Sequence, residues 1–209
     1  LAIVVCLATL CGCGDTPSGG QTTDGPRDSV MLRNALGMQT TDPADTNETD
    51  VLTVNEQIYE GLYTLDESGG GYQPCLAKQI DISDDATVYT ITLQDGVKFH
   101  NGQEMKAADV KASLELCKES PQVSQYGDAV ESVEVIDDYT VKITTNGPHS
   151  GLLTDLSHHG NAILPADLIA SGHDFNKEPI GTGPYKFVAW NKGESIELEA
   201  NEDYWGEVP

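Results

Sequence analysis

The stretch EPIGTGPYKF, Glu178 to Phe187, places two glycines between two prolines just ahead of an alternating apolar run. Glycine loops of this kind often hold phosphate. A phosphate cradle, however, needs a loop that opens a helix whose N–H groups face the anion, and a P-loop adds a Lys-Ser/Thr pair. Here Gly183 is followed by Pro184, which donates no N–H, and then by YKFVAWN, in which Tyr185, Phe187 and Ala189 alternate with Lys186, Val188 and Trp190. The stretch therefore predicts a tight turn entering a strand, with Gly181 and Gly183 supplying positive φ angles.

The same alternation of short strands and turns runs through much of the chain. SVMLRNAL, Ser29 to Leu36, reads as a first strand, followed by a polar loop containing Pro43. Val51, Val54, Ile58 and Leu62 recur at helical spacing, with Gly61 as the stop signal. VYTITLQDGVKF alternates through Tyr89, Ile91 and Leu93, turns at Asp95-Gly96 and resumes at Val97 and Phe99, which predicts a hairpin-like pair. Ala107, Val110, Leu114 and Cys117 share one face of a second helix that ends before Pro121. A further hairpin is predicted around Asp137-Asp138, and a helix between Pro165 and Gly172. Strands outnumber helices and come as hairpins rather than βαβ units, so the class is α/β of the mixed α+β kind.

The 209 residues suit one domain or two small ones, and a hydrophobic content of 38% is enough for a buried core. Against 11 basic residues stand 34 acidic ones, a formal charge of -23. Nucleic acid and anionic membrane surfaces would both be repelled, and neutral or cationic ligands are the easier partners. The acidic residues are dispersed, as in DISDD and ANEDY, which describes a solvated surface.

The chain begins inside an apolar run, LAIVVCLATLCGCG, too short to span a bilayer but suited to the core of a signal peptide. Its end, Leu10-Cys11-Gly12-Cys13, resembles a bacterial lipobox, which would make Cys13 the lipidated first residue of the mature protein. Residues 1–13 are thus expected to be a lipoprotein signal peptide, truncated at its start. Residues 14–28, GDTPSGGQTTDGPRD without the closing strand, have the composition of a flexible tether. Cys75 and Cys117 could pair outside the cytoplasm, or Cys117 could be a plain core residue; the spacing leaves both open.

Several segments together resemble family 5 of the bacterial solute-binding proteins, the oligopeptide, dipeptide and nickel binders of ABC importers. The landmarks, in order, are QIYEGLYTLD; QPCLAKQIDISDDATVYTITLQDGVKFHNGQEMKAADVKASLE; EPIGTGPYKF; and ANEDYWGEVP. The resemblance implies a type II periplasmic-binding-protein-like fold. Residues 29–209 would be its first lobe with a hairpin-rich subdomain, and the second lobe, which follows the YWG landmark in such proteins, would be missing. It implies a non-enzymatic clamp whose closure on a peptide is read by permease and ATPase subunits, a monomer held to the membrane by its lipid, without cofactor and without nucleic acid. In that family the Gly-Thr-Gly-Pro-Tyr turn is a landmark of the fold and not a phosphate site.

The ligand-facing parts implied by this likeness are GMQTTDP after the first strand, SQYGDAV and LSHHGNA. They make Met38, Gln39, Thr40, Tyr126, His159 and Asn161 the candidate ligand contacts. His158-His159 raises the question of a metal, the more so because nickel binders share the family. Adjacent residues ligate one ion poorly, so no metal site is expected. His100, in KFHNG, reads as a turn residue. No G-x-S-x-G or H-E-x-x-H occurs, which leaves an enzyme without a motif.

Overall fold

The computed structural model describes residues 29–33 and 38–209, apart from 67 and 70. The signal peptide with Cys13, the tether, and the predicted end of the first strand at 34–36 lie outside the described residues.

Two larger sheets, a two-stranded hairpin and two cores organise the described residues. The first sheet has the order β1-β9-β8, all antiparallel, from β1 (Ser29–Arg33), β8 (Tyr185–Asn191) and β9 (Ser195–Ala200). Against it lies α1 (Thr49–Ile58). Val51, Val54 and Ile58 of this helix pack with Met38, Tyr59, Ile196 and Leu198. The helical spacing read in the sequence is thus the buried face, although Leu62 lies beyond the helix and turns into the other core. YKFVAWN is strand β8 as expected, with a register shift between Phe187 and Ala189.

The second sheet is the hairpin-rich part, with order β4-β5-β7-β6 from β4 (Ala77–Ile82), β5 (Val88–Leu93), β6 (Val130–Asp137) and β7 (Thr140–Thr145). The hairpin at Asp137-Asp138 forms. On the covered face Tyr89, Ile91, Leu93, Val141 and Ile143 are buried, and α2 (Ala107–Glu119) lays Ala107, Val110 and Leu114 over them. Each such aliphatic side chain contributes roughly 2 kcal/mol on burial. A small hairpin of β2 (Tyr63–Asp66) and β3 (Gly71–Pro74) links the two halves, and short helices α3 (Leu152–Asp155) and α4 (Ala166–Ser171) close them. Helix α4 runs between Pro165 and Gly172, whose φ of 70° makes the left-handed stop.

Two expectations are corrected. The Asp95-Gly96 turn exists, with Gly96 at φ 76°, but Val97 and Phe99 form no hairpin with β5. Both edges of β5 are already taken, by β4 and β7. The returning segment instead buries Val97 and Phe99 and bridges Lys98 to Glu104. Gly181 and Gly183 are not at positive φ either. They are glycine because the backbone runs against the end of α1. A Cβ on Gly181 would lie 2.1 Å from the Ile58 carbonyl oxygen, and one on Gly183 2.5 Å from that of Gln57. The Gly183 N–H donates to the Ile58 carbonyl at 2.9 Å, satisfying one of the acceptors a helix leaves open at its C-terminus.

Candidate functional site

The sequence landmarks meet around Glu60, which follows α1. Its carboxylate accepts from Thr182 Oγ1 at 2.8 Å, Tyr204 OH at 2.7 Å and Trp205 Nε1 at 2.8 Å, and the Cys75 thiol lies at 3.6 Å. One side chain therefore fastens YEGL to GTGPY and to YWG. From the other side, His100 holds the glycine turn: its N–H donates to the Gly181 carbonyl at 2.9 Å and its Nε2–H to that of Gly183 at 3.0 Å. Its Nδ1 accepts from the Gly181 N–H at 3.4 Å, a pairing that needs the neutral ring. Burial pushes the His100 pKa down to about 4. Asn201 adds a donor to the Gly183 carbonyl at 3.1 Å. His100 is thus a clamp on the turn, a role consistent with its reading as a turn residue.

This scaffold positions the candidate ligand contacts. The 3-10 turn Ser124–Tyr126 and the 3-10 turn His159–Asn161 are brought side by side, so that Tyr126 stacks on His158 with ring centres 3.4 Å apart and planes at 14°. Asn161 is buried beneath them; its amide donates to the carbonyls of Tyr126, at 3.1 Å, and Asp155, at 2.9 Å. His159 donates from Nε2 to the Thr46 carbonyl at 2.8 Å and so draws in the loop after β1. In that loop Gln39 is exposed, Thr40 is buried and bonded to Asn176, and Met38 is in the core beside α1. The structure thus gathers Tyr126, His159 and Asn161 with His158 in one cluster, ties them to the loop carrying Gln39 and Thr40, and turns Met38 inward.

Two recesses flank the cluster. A cavity of about 280 Å³ is walled by His158, His159, Asn55, Tyr59, Ala162 and Pro184, with Glu56 and Glu60 also on its border. A polar groove of about 300 Å³ runs past Gln39, Thr40, Thr46, Asn47, Gln122 and Asn176. The hydrogen bond from His159 to Thr46 joins the two. Burial lowers the pKa of both histidines, that of His158 to about 4, so both rings are neutral at neutral pH. Burial also raises the Cys75 thiol, an effect reinforced by Glu60, and pushes Cys117 up to about 12. Neither thiol is a nucleophile in this state, and neither is in a disulfide. Among the described residues no group of three or more His, Cys, Asp or Glu side chains could hold a metal, and no helix is long and apolar enough to cross a membrane. The recesses offer amide, hydroxyl and neutral imidazole groups beside carboxylates, Glu56 and Glu60 in the cavity and Asp45 and Glu48 in the groove.

Residues 71–209 match the family described as bacterial extracellular solute-binding proteins, family 5. The chain belongs to this family. It is 36% identical to the glutathione-binding protein GsiB of Pectobacterium atrosepticum over 168 residues, which cover 78% of this chain and 32% of that protein. Among solved structures it is similar to the periplasmic binding protein DppA from Helicobacter pylori in complex with the peptide STSA, with TM-score 0.72, 34% identity, and coverage of 80% of this chain and 38% of that one. It is also similar to NikZ from Campylobacter jejuni in complex with Ni(L-His), with TM-score 0.71, 35% identity, and coverage of 82% and 35%. The chain thus spans about a third of the length of these family 5 relatives, and the mixed α/β architecture is that of a periplasmic binding protein.

The work of Glu60 is not legible in the sequence, although it sits within the landmark QIYEGLYTLD. Its three donors lie more than a hundred positions away, and only the fold shows that they converge. The stack that fixes the His158 ring is likewise hidden from the sequence, because Tyr126 comes from a separate 3-10 turn.

Proposed function

We propose that this family 5 chain forms part of a substrate-binding lipoprotein of an ABC importer, which captures peptides outside the cytoplasmic membrane and delivers them to permease and ATPase subunits. The observation that carries this reading is the convergence of the loop after β1, the Tyr126 turn and the His158–Asn161 segment beside two adjoining recesses, in which amide and hydroxyl groups and the His158 ring, held from behind by Tyr126, stand among carboxylates. Such surfaces suit the N–H and C=O groups of a peptide main chain better than an anion. The relatives named for glutathione, itself a tripeptide, and for the peptide STSA support the class. Ligand contacts on a second lobe would favour a closed state, and closure is what a transporter can read. Gln39, Thr40, Tyr126 and His159 remain the proposed contacts of this half, with Asn161 holding the Tyr126 turn from beneath and Met38 acting from behind the loop. The protein acts as a monomer and needs no cofactor. Cys13 is the proposed lipid anchor, and Cys13→Ser should move the protein from the membrane to the soluble fraction; retention in the membrane would refute the anchor.

A nickel or other small-solute reading is favoured by the likeness to NikZ and by the adjacent histidines. One thermal-shift series on the full-length protein separates the two, with a pool of short peptides, glutathione, and nickel with L-histidine run in parallel. A ligand at a hundred times its Kd adds about 2.7 kcal/mol of stability. A rise in Tm with peptides supports the peptide reading, and a rise with nickel-histidine alone overturns it.

A further inference from the structure

The two adjacent histidines are set differently by their partners. His159 donates its Nε2–H to the Thr46 carbonyl at 2.8 Å, so that N–H is committed to holding the fold. His158 is the N-cap of the 3-10 turn, and its Nδ1 accepts from the Gly160 N–H at 3.1 Å. A neutral imidazole has one N–H, so an accepting Nδ1 puts the proton of His158 on Nε2. That N–H has no partner among the described residues and is not sealed from solvent. The ring cannot easily turn away. Tyr126 covers one face at 3.4 Å and 14°, His159 lies against it at 4.2 Å, and Asn161 pins the Tyr126 carbonyl.

We propose that His158 recognises a main-chain carbonyl of the bound peptide, through the Nε2–H that this arrangement leaves unspent at the cavity beside α1. The proposal rests on the peptide reading above and adds which residue of this half binds which atom. Three observations select the acceptor. The cavity, about 280 Å³, has room for a residue or two of peptide. Glu56 and Glu60 stand on its border in a chain of charge -23, which disfavours a carboxylate as the acceptor. A metal ion would need a lone pair from His158, yet Nδ1 is engaged by Gly160 and Nε2 carries the proton. What remains is a neutral carbonyl oxygen. Asn55, in the same wall, keeps both amide atoms buried without a partner among the described residues, which is a further sign of a polar site short of its complement.

The test uses the full-length protein with three probes: tri- to pentaalanine, glutathione, and nickel with L-histidine. His158→Phe keeps the ring on Tyr126 and removes the N–H. His158→Asn keeps an acceptor for Gly160 and removes the ring, and it carries the test if the Phe variant fails to fold. Affinity for whichever peptide binds the wild type is expected to fall roughly 3- to 10-fold in both variants, the worth of one hydrogen bond. In nitrogen-resolved NMR the free wild type should show His158 protonated at Nε2, and that proton should move downfield when peptide binds. Peptide binding by the wild type with unchanged affinity in the variants overturns the role of His158 and leaves the peptide reading standing. Binding of nickel-histidine alone, or of no probe, overturns both.

Discussion

At the scale of single residues, Gly181 and Gly183 show what the sequence could and could not say. Their turn and the strand after it were legible from Pro184 and the alternation that follows, because those are local properties. The reason for the glycines was not, because it lies in α1, more than a hundred residues earlier, whose last carbonyls press on the turn. The two causes predict different penalties. Gly181→Ala pushes a methyl group to 2.1 Å from a backbone oxygen and should cost roughly 3 kcal/mol or more in chemical denaturation. Gly96→Ala meets open space and only the strain of φ 76°, and should cost about 1 kcal/mol. Equal losses would contradict the close-approach account. Glu60→Gln turns an acceptor of three donors into a group that must point an N–H₂ at some of them. A loss of roughly 2–4 kcal/mol is expected, and none would mean that the landmarks are not tied through this residue.

At the scale of elements, what was legible depended on how far the deciding partner lay. The β6–β7 hairpin and α4 carry their own start and stop signals, and both form where the sequence places them. The second half of the predicted hairpin at Asp95-Gly96 lost its place because β5 is an interior strand, a fact set by β7 some fifty residues later. The sequence shows helix α2 by its apolar face and by Pro121 beyond its end, yet its start also fixes α4. Asp109 accepts the Lys106 N–H at 2.7 Å on one oxygen and the Ala166 N–H at 2.8 Å on the other. Asp109→Asn retains one acceptor and should cost about 1–2 kcal/mol, while Asp109→Ala loses both and should cost more. An Asn variant as stable as the wild type would separate the two helices energetically.

At the scale of the whole molecule, the run of short hairpin strands and the order of the landmarks were enough for the class and the family, since neither depends on which side chains touch. The candidate site was legible only in outline: Tyr126, His159 and Asn161 converge, but their convergence is made by buried hydrogen bonds that no spacing reveals. The same buried histidines make stability depend on pH. His100 and His158 have folded pKa values lowered to about 4 from an ordinary 6.5. Between those values the unfolded chain binds more protons than the folded one, so stability is full above about pH 6.5 and falls as pH drops toward 4. For His100 the loss is up to ~3 kcal/mol. His100→Gln keeps a donor and an acceptor without titrating, and should make the fall in Tm over that range shallower. An unchanged slope would contradict the neutral clamp.

The proposed function places the ligand where the loop after β1, the Tyr126 turn and the His158–Asn161 segment meet. Hydrogen exchange on the full-length protein, with and without the peptide that most raises its Tm, tests this directly. New protection is expected in residues 38–48, 122–127 and 157–162, with the β6–β7 hairpin unchanged. Tight peptide binding that leaves all three segments exchanging as before would contradict it.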